Sequence, residues 1–148
     1  MATPEAPNPD FEKLVKEAVL SMPAAQHLGF GFDRIAPGEV DLVQPHRREL
    51  TQHNGYFQGG VLGSLADFAA GSAAGTLLPA GWINMTIDYT VKILAPAKGD
   101  RLLARGRVVH PGRVLSIAGA EVYALGGDRE THCATALVTM RNVEIRSS

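Results

Sequence analysis

The stretch from Gly59 to Leu78 carries a single charged side chain, Asp67, among leucines, alanines and glycines. Gly59-Gly60 opens it and Pro79 with Gly81 stops it, which predicts one long helix. On a helical wheel Gly60, Gly63, Ser64, Asp67, Gly71 and Ala74 share a stripe of small residues. Val61, Leu65, Phe68 and Ser72 form a second face, and Leu62, Ala66, Ala69, Ala70 and Ala73 fill most of the remainder. A helix apolar nearly all round has to be buried. Its alanines and glycines suit the close approach of a sheet wrapped around it.

The rest of the chain supplies that sheet. Asp10 is placed to cap a first helix in which Phe11, Leu14, Val15, Ala18 and Val19 recur at helical spacing, ending near Pro23. Gly29 to Asp33 and Glu39 to Val43 flank the turn triplet Ala36-Pro37-Gly38, which predicts a hairpin. Gln44 to Phe57 reads as a long polar loop. Beyond Trp82, residues of high strand propensity are punctuated by turns at Pro96 to Asp100, at Pro111-Gly112 and at Gly126-Gly127-Asp128. Four strands follow. The order helix, hairpin, helix, four-strand meander predicts an α+β fold with an antiparallel sheet, and a parallel Rossmann sheet lacks its crossovers. At 148 residues the chain reads as one domain over 10–145, preceded by a flexible tail over 1–9 that holds Pro4, Pro7 and Pro9.

Composition narrows the function classes. With 45% apolar residues the chain is no disordered polymer, and a net charge of −1 with interspersed signs leaves no electrostatic footprint for nucleic acid. Phe68 to Ile87 is uncharged but broken by Gly71, Gly75, Pro79, Gly81 and Asn84, a poor membrane span, and the N-terminus lacks the basic start and apolar run of a signal peptide. The lone Cys133, read as a core residue, has no partner for an intrachain disulfide, which suits a reducing compartment. The expectation is a cytoplasmic protein without nucleic-acid or membrane partners. His27, His46, His53, His110 and His132 show no metal-ligand spacing, so no metal site is expected, and there is no Gly-x-Ser-x-Gly elbow.

Asp67 is the residue that packing does not explain. A carboxylate on a buried apolar helix costs several kcal/mol, on the order of what only a partner or a wet cleft offsets. It is either paired with an arginine or employed as a general base or nucleophile. At the helix start the first N–H groups lack intrahelical partners, and Gly59-Gly60 lets a ligand approach them as an oxyanion hole. Eight residues of helix separate Gly59 from Asp67, about 12 Å along the axis, too far for both to act on one carbonyl carbon. Two antiparallel copies of the helix, facing each other across the small-residue stripe, would set the donors of one against the carboxylate of the other. A dimer is therefore expected.

The run Leu50-Thr51-Gln52-His53-Asn54-Gly55-Tyr56-Phe57-Gln58-Gly59-Gly60-Val61-Leu62-Gly63-Ser64-Leu65-Ala66-Asp67 resembles the active-site segment of hotdog-fold acyl-CoA thioesterases of the phenylacetic-acid-degradation, or PaaI-like, branch. The resemblance extends over about residues 25–145. It implies a sheet wrapped around the central helix, hydrolysis of a small acyl- or aryl-CoA thioester, and a homodimer forming the site, doubled to a homotetramer. Coenzyme A is then part of the substrate and no separate cofactor is implied.

Carried over, Asp67 is the catalytic carboxylate and the Gly59 N–H polarises the thioester carbonyl. Gln52 falls where the family places an Asn or Gln that orients the thioester or the water. Thr86, in Asn84-Met85-Thr86-Ile87-Asp88-Tyr89, matches a Ser or Thr that contacts the attacking water. Gln58, Gly60, Asn54, His110 and Arg113 are implied as substrate contacts, the last two toward the phosphates of coenzyme A. Arg101, Arg105 and Arg107 alternate on the preceding strand and read either as part of a basic rim for those phosphates or as a solvated face. The chain departs from the family pattern at Gln58, where most members have His, so hydrogen bonding is retained there and imidazole titration is lost. A non-catalytic acyl-CoA-binding module and an enoyl-CoA hydratase are the competing readings of the same fold. Tyr56, Phe57 and Trp82 are the aromatic candidates for an acyl pocket.

Overall fold

The structure, a computed structural model, describes residues 4–146. Of the expected tail, residues 1–3 lie outside the described ones. Within 4–9 the Asn8 side chain is buried, and its Oδ1 accepts from the Asp10 N–H at 3.0 Å. Asp10 occupies the N-cap of helix α1 (Phe11–Leu20), but its own side chain makes no capping bond. A second helix, α2 (Pro23–Leu28), follows where sequence reading has a stop. Pro23 sits in its first turn, where the missing N–H costs nothing, and so begins a helix besides ending one.

The hairpin forms as expected from β1 (Gly31–Ala36) and β2 (Glu39–Pro45) around Pro37-Gly38. β2 runs further than its apolar residues indicate, because Gln44, fully buried, donates through Nε2 to the Leu28 carbonyl at 2.6 Å. The expected polar loop is accordingly shorter and holds a 3-10 turn at Arg48–Leu50. Helix α3 (Gly59–Gly75) stops three residues before Leu78. There the Thr76 hydroxyl donates back to the Ala73 carbonyl at 2.6 Å and accepts from the Gly38 N–H at 2.7 Å, tying the helix end to the hairpin turn.

Four strands then follow, β3 (Trp82–Ile93), β4 (Arg101–Pro111), β5 (Leu115–Gly126) and β6 (Arg129–Glu144). All pairings are antiparallel, in the order β1-β2-β4-β5-β6-β3. The meander thus has three strands, not the expected four: β3 crosses to the far edge beside β6, and β4 closes onto β2. The inward residues of β3 account for this. Asn84 and Thr86 carry polar groups that the dry centre of the sheet would leave unpaired, whereas at the edge both find partners on α3.

At that centre the register lines up Val40, Gly106, Ala120, Ala136 and Val91 across five strands. Over this row lie Ala66, Ala69, Ala70 and Ala73 of α3, each fully buried. A Cβ at Gly106 would stand 2.3 Å from the Ala69 carbonyl oxygen, so strand and helix backbones touch there. Small residues on both sides let the sheet curl around the helix, the hotdog arrangement that the resemblance implies.

Candidate active site

The stripe of small residues on α3 does not stand open to a twin helix, as the sequence reading has it. It lies along β3. A Cβ at Gly63 would touch Val91 and Tyr89 at 3.6 and 3.7 Å, and the Asn84 amide donates to the Gly71 carbonyl at 3.0 Å. Between these contacts the Thr86 hydroxyl donates to Oδ1 of Asp67 at 2.7 Å. A shift of register between Thr86 and Asp88 marks a bulge in β3 at this point, a device that re-aims side chains beside functional sites.

Asp67 is half-buried, and its burial pushes the carboxyl pKa up, opposed by the Thr86 hydrogen bond. Among the described residues no cation is paired with it, and Oδ2 has no hydrogen-bond partner. The arginine pairing that would have made Asp67 structural is therefore not formed among the described residues. What stands on the helix is an acid with a raised proton affinity, oriented through one oxygen and open at the other.

The second group of site residues gathers at the start of α3. Thr51 bridges to Phe57, the Gln58 N–H donates to the Leu50 carbonyl at 3.0 Å, and Gly55 takes a left-handed conformation at φ 84° that closes the loop. This brings Gln52 and Asn54, both exposed, beside the leading turn of the helix. Gln58 is the N-cap: its Oε1 accepts from the N–H groups of Gly60 at 2.7 Å and Val61 at 3.3 Å. The Gly60 N–H is thus committed within the chain. The Gly59 N–H meets no acceptor among the described residues, and open space surrounds the position of its absent Cβ.

The two groups are separate, because about 12 Å of α3 lies between Gly59 and Asp67. His110 and Arg113 belong to neither. They lie at a third place, around the turn from β4 to β5, and both are exposed. Sequence reading missed Asn84, whose signal was a polar residue two positions before Thr86 and so on the same face of the strand. It also gave Gln58 no capping role, since glutamine is not among the preferred N-caps.

The sequence profile of the thioesterase superfamily matches residues 54–131, just over half the chain, a range that holds Gln58, Gly59, Asp67 and Thr86 and leaves Gln52 just outside. The chain belongs to the thioesterase superfamily. A thioesterase family protein of Silicibacter pomeroyi is 33% identical over 90% of this chain and 98% of its own, with a TM-score of 0.88. The fold recurs in a Haemophilus influenzae thioesterase (19% identity, 99% and 95% coverage, TM-score 0.81). It recurs again in the PaaI protein of the E. coli phenylacetic acid degradation operon (19% identity, 93% and 97% coverage, TM-score 0.80). No match was found among curated proteins. The thioesterase is accordingly a thioester hydrolase of hotdog fold, with Asp67 inside the matched segment. Among its described residues no helix is long and apolar enough to cross a membrane.

Proposed function

We propose that the enzyme hydrolyses small acyl- or aryl-CoA thioesters in the PaaI-like manner, at a site shared by two copies of the chain. The observation that carries this reading is Asp67, half-buried and held by a hydroxyl instead of a cation. Water held between Oδ2 of Asp67 and the Thr86 hydroxyl attacks the thioester carbonyl carbon while Asp67 takes its proton. A raised carboxyl pKa makes it the better proton acceptor, which favours the role of base over that of nucleophile. The oxyanion accepts from the Gly59 N–H of the other copy, at the positive end of its helix. Collapse of the tetrahedral intermediate breaks the C–S bond, and the thiolate of coenzyme A leaves with the proton returned by Asp67.

Gln52, Asn54 and the free Nε2 of Gln58 border the same leading turn and orient the thioester. Gly60 contributes by lacking a Cβ, which would stand 2.8 Å from Gln58 Oε1. His110 and Arg113 face the phosphates. The second copy joins through β3, whose outer edge is unpaired and whose Met85, Ile87 and Tyr89 are about half exposed, at 50%, 58% and 49%. A long edge strand that exposes apolar side chains is a template for pairing with another chain. Exposed Val109, Val114 and Leu137 then give the dimer a contact for doubling to a tetramer. A cytoplasmic setting fits the single buried thiol.

Mixed dimers test the shared site. Asp67→Ala and Gly59→Pro homodimers each release little thiol from an acyl-CoA. In a random one-to-one mixture half the dimers are mixed, and each of these has one intact site, so about a quarter of wild-type activity returns. A mixture no more active than its two parents would place both groups in one subunit and end the proposal.

A further inference from the structure

We infer that Asn84 is a positioning residue: by anchoring β3 to α3 one helical turn beyond Asp67, it holds the Thr86 hydroxyl on the Asp67 carboxylate. Its bearing on catalysis rests on the reading of Asp67 as the base. Half-buried Asn84 donates through Nδ2 to the Gly71 carbonyl at 3.0 Å, two residues before the 2.7 Å bond from Thr86 to Asp67. The series continues at Tyr89, whose ring lies 3.7 Å from where a Cβ of Gly63 would stand. Gly71, Asp67 and Gly63 are successive turns of one helix stripe, met in order by Asn84, Thr86 and Tyr89 of a strand running the other way. The steps match because four helical residues rise about 6 Å and two strand residues about 6.7 Å. Fixing β3 at Asn84 therefore fixes which turn of α3 Thr86 meets.

The sheet alone does not fix it. β3 is an edge strand, paired only with β6, and that ladder is disturbed directly beyond Thr86. Met140 pairs with Thr86 and Thr139 with Asp88, so Ile87 has no partner and the strand bends there. The extra residue turns Tyr89 onto the helix, where strict alternation from Thr86 would point it away. Past the bulge the contacts of Tyr89 and Val91 with Gly63 are packing contacts without hydrogen bonds. Among the described residues the bonds from Asn84 and Thr86 are the directional links between β3 and α3. The small-residue stripe leaves room for the anchor: a Cβ at Gly75 would stand 3.9 Å from Asn84 Nδ2, already against Val15 at 3.5 Å.

The Asp67 carboxyl reports on the anchor, since burial and the Thr86 hydroxyl set its proton affinity and no charged group contributes. Carbon-13 NMR of the full-length protein labelled at its aspartate carboxyls follows that titration, the Asp67 signal being the one lost in Asp67→Asn. Asn84→Ala and Asn84→Ser both fall short of the Gly71 carbonyl, and each should raise the Asp67 pKa part of the way to its value in Thr86→Val. With Thr86→Val already in place, either should add nothing, because the two residues act through one bond. In the single variants kcat for an acyl-CoA should fall roughly two- to tenfold at unchanged KM, the worth of one neutral hydrogen bond. The acid limb of kcat/KM should move with the NMR value. An unmoved Asp67 pKa in folded Asn84→Ala or Asn84→Ser would overturn the inference, as would a further rise on top of Thr86→Val. The two readings fail separately: a pKa that moves while the acid limb stays would remove Asp67 as the base and leave the anchor standing.

Discussion

The Thr86 hydroxyl donates to Oδ1 of Asp67 at 2.7 Å and so joins the edge strand β3 to the middle of the central helix. The bond opposes the effect of burial on the carboxyl. Thr86→Val removes it at little change in volume, so the Asp67 pKa rises further and the acid limb of the kcat/KM profile moves to higher pH. Thr86→Ser keeps the hydroxyl and should leave the limb near its wild-type position. The pH–rate profiles of the two variants check this, and coincident acid limbs would deny the bond its role.

Asp67 also links pH to stability. Its carboxyl binds a proton more tightly when folded than when unfolded, because burial raises its pKa from the ordinary 3.8. Between that value and the raised one the folded state carries more protons, so stability falls as pH increases through this window, and the loss is complete above it. Asp67→Asn should therefore be more stable than wild type at neutral pH, with the gap closing below the ordinary carboxylate value. Thermal melts across pH measure the gap, and thiol release should fall on the order of 100-fold or more in the same variant.

Gly59→Pro deletes the proposed oxyanion donor without deleting the helix. Proline suits the first helical position, and Gln58 before it already has the extended backbone, φ −71° and ψ 141°, that proline demands. A folded protein with kcat reduced about 100- to 1,000-fold is expected. Circular dichroism beside steady-state kinetics distinguishes this from unfolding, and a kcat close to wild type would remove the Gly59 N–H from the mechanism.

Gly106→Ala tests the contact of helix and sheet. The new methyl would stand 2.3 Å from the Ala69 carbonyl oxygen, where neither backbone has room to yield. A loss of about 1 to 3 kcal/mol or more in denaturant unfolding is expected. A neutral result would show that α3 shifts freely over β4.

Cys133 is fully buried, and burial pushes its thiol up to about 11. The native protein should give no signal with a thiol reagent, and one equivalent should appear on denaturation. Titration before and after adding guanidinium checks this.

The amino-acid sequence by itself determined the elements whose signals are local. The uncharged alanine-rich run marks α3, the Pro-Gly and Gly-Gly-Asp turns mark where strands reverse, and Asp67 stands out because nothing around it in the chain is charged. Pro23 misled because the same ring ends one helix and begins another, and only the following residues choose. Tertiary structure alone decided that β3 sits beyond β6 and not beside β4, since strand pairing is a non-local choice settled by which side chains the interior accepts. From that one placement come the Thr86 bond to Asp67, the open sheet edge at β3, and the meeting of Trp82 with Arg113, Arg141 and Arg146. These residues are far apart along the chain, and no periodicity within a segment carries information about a distance across the fold.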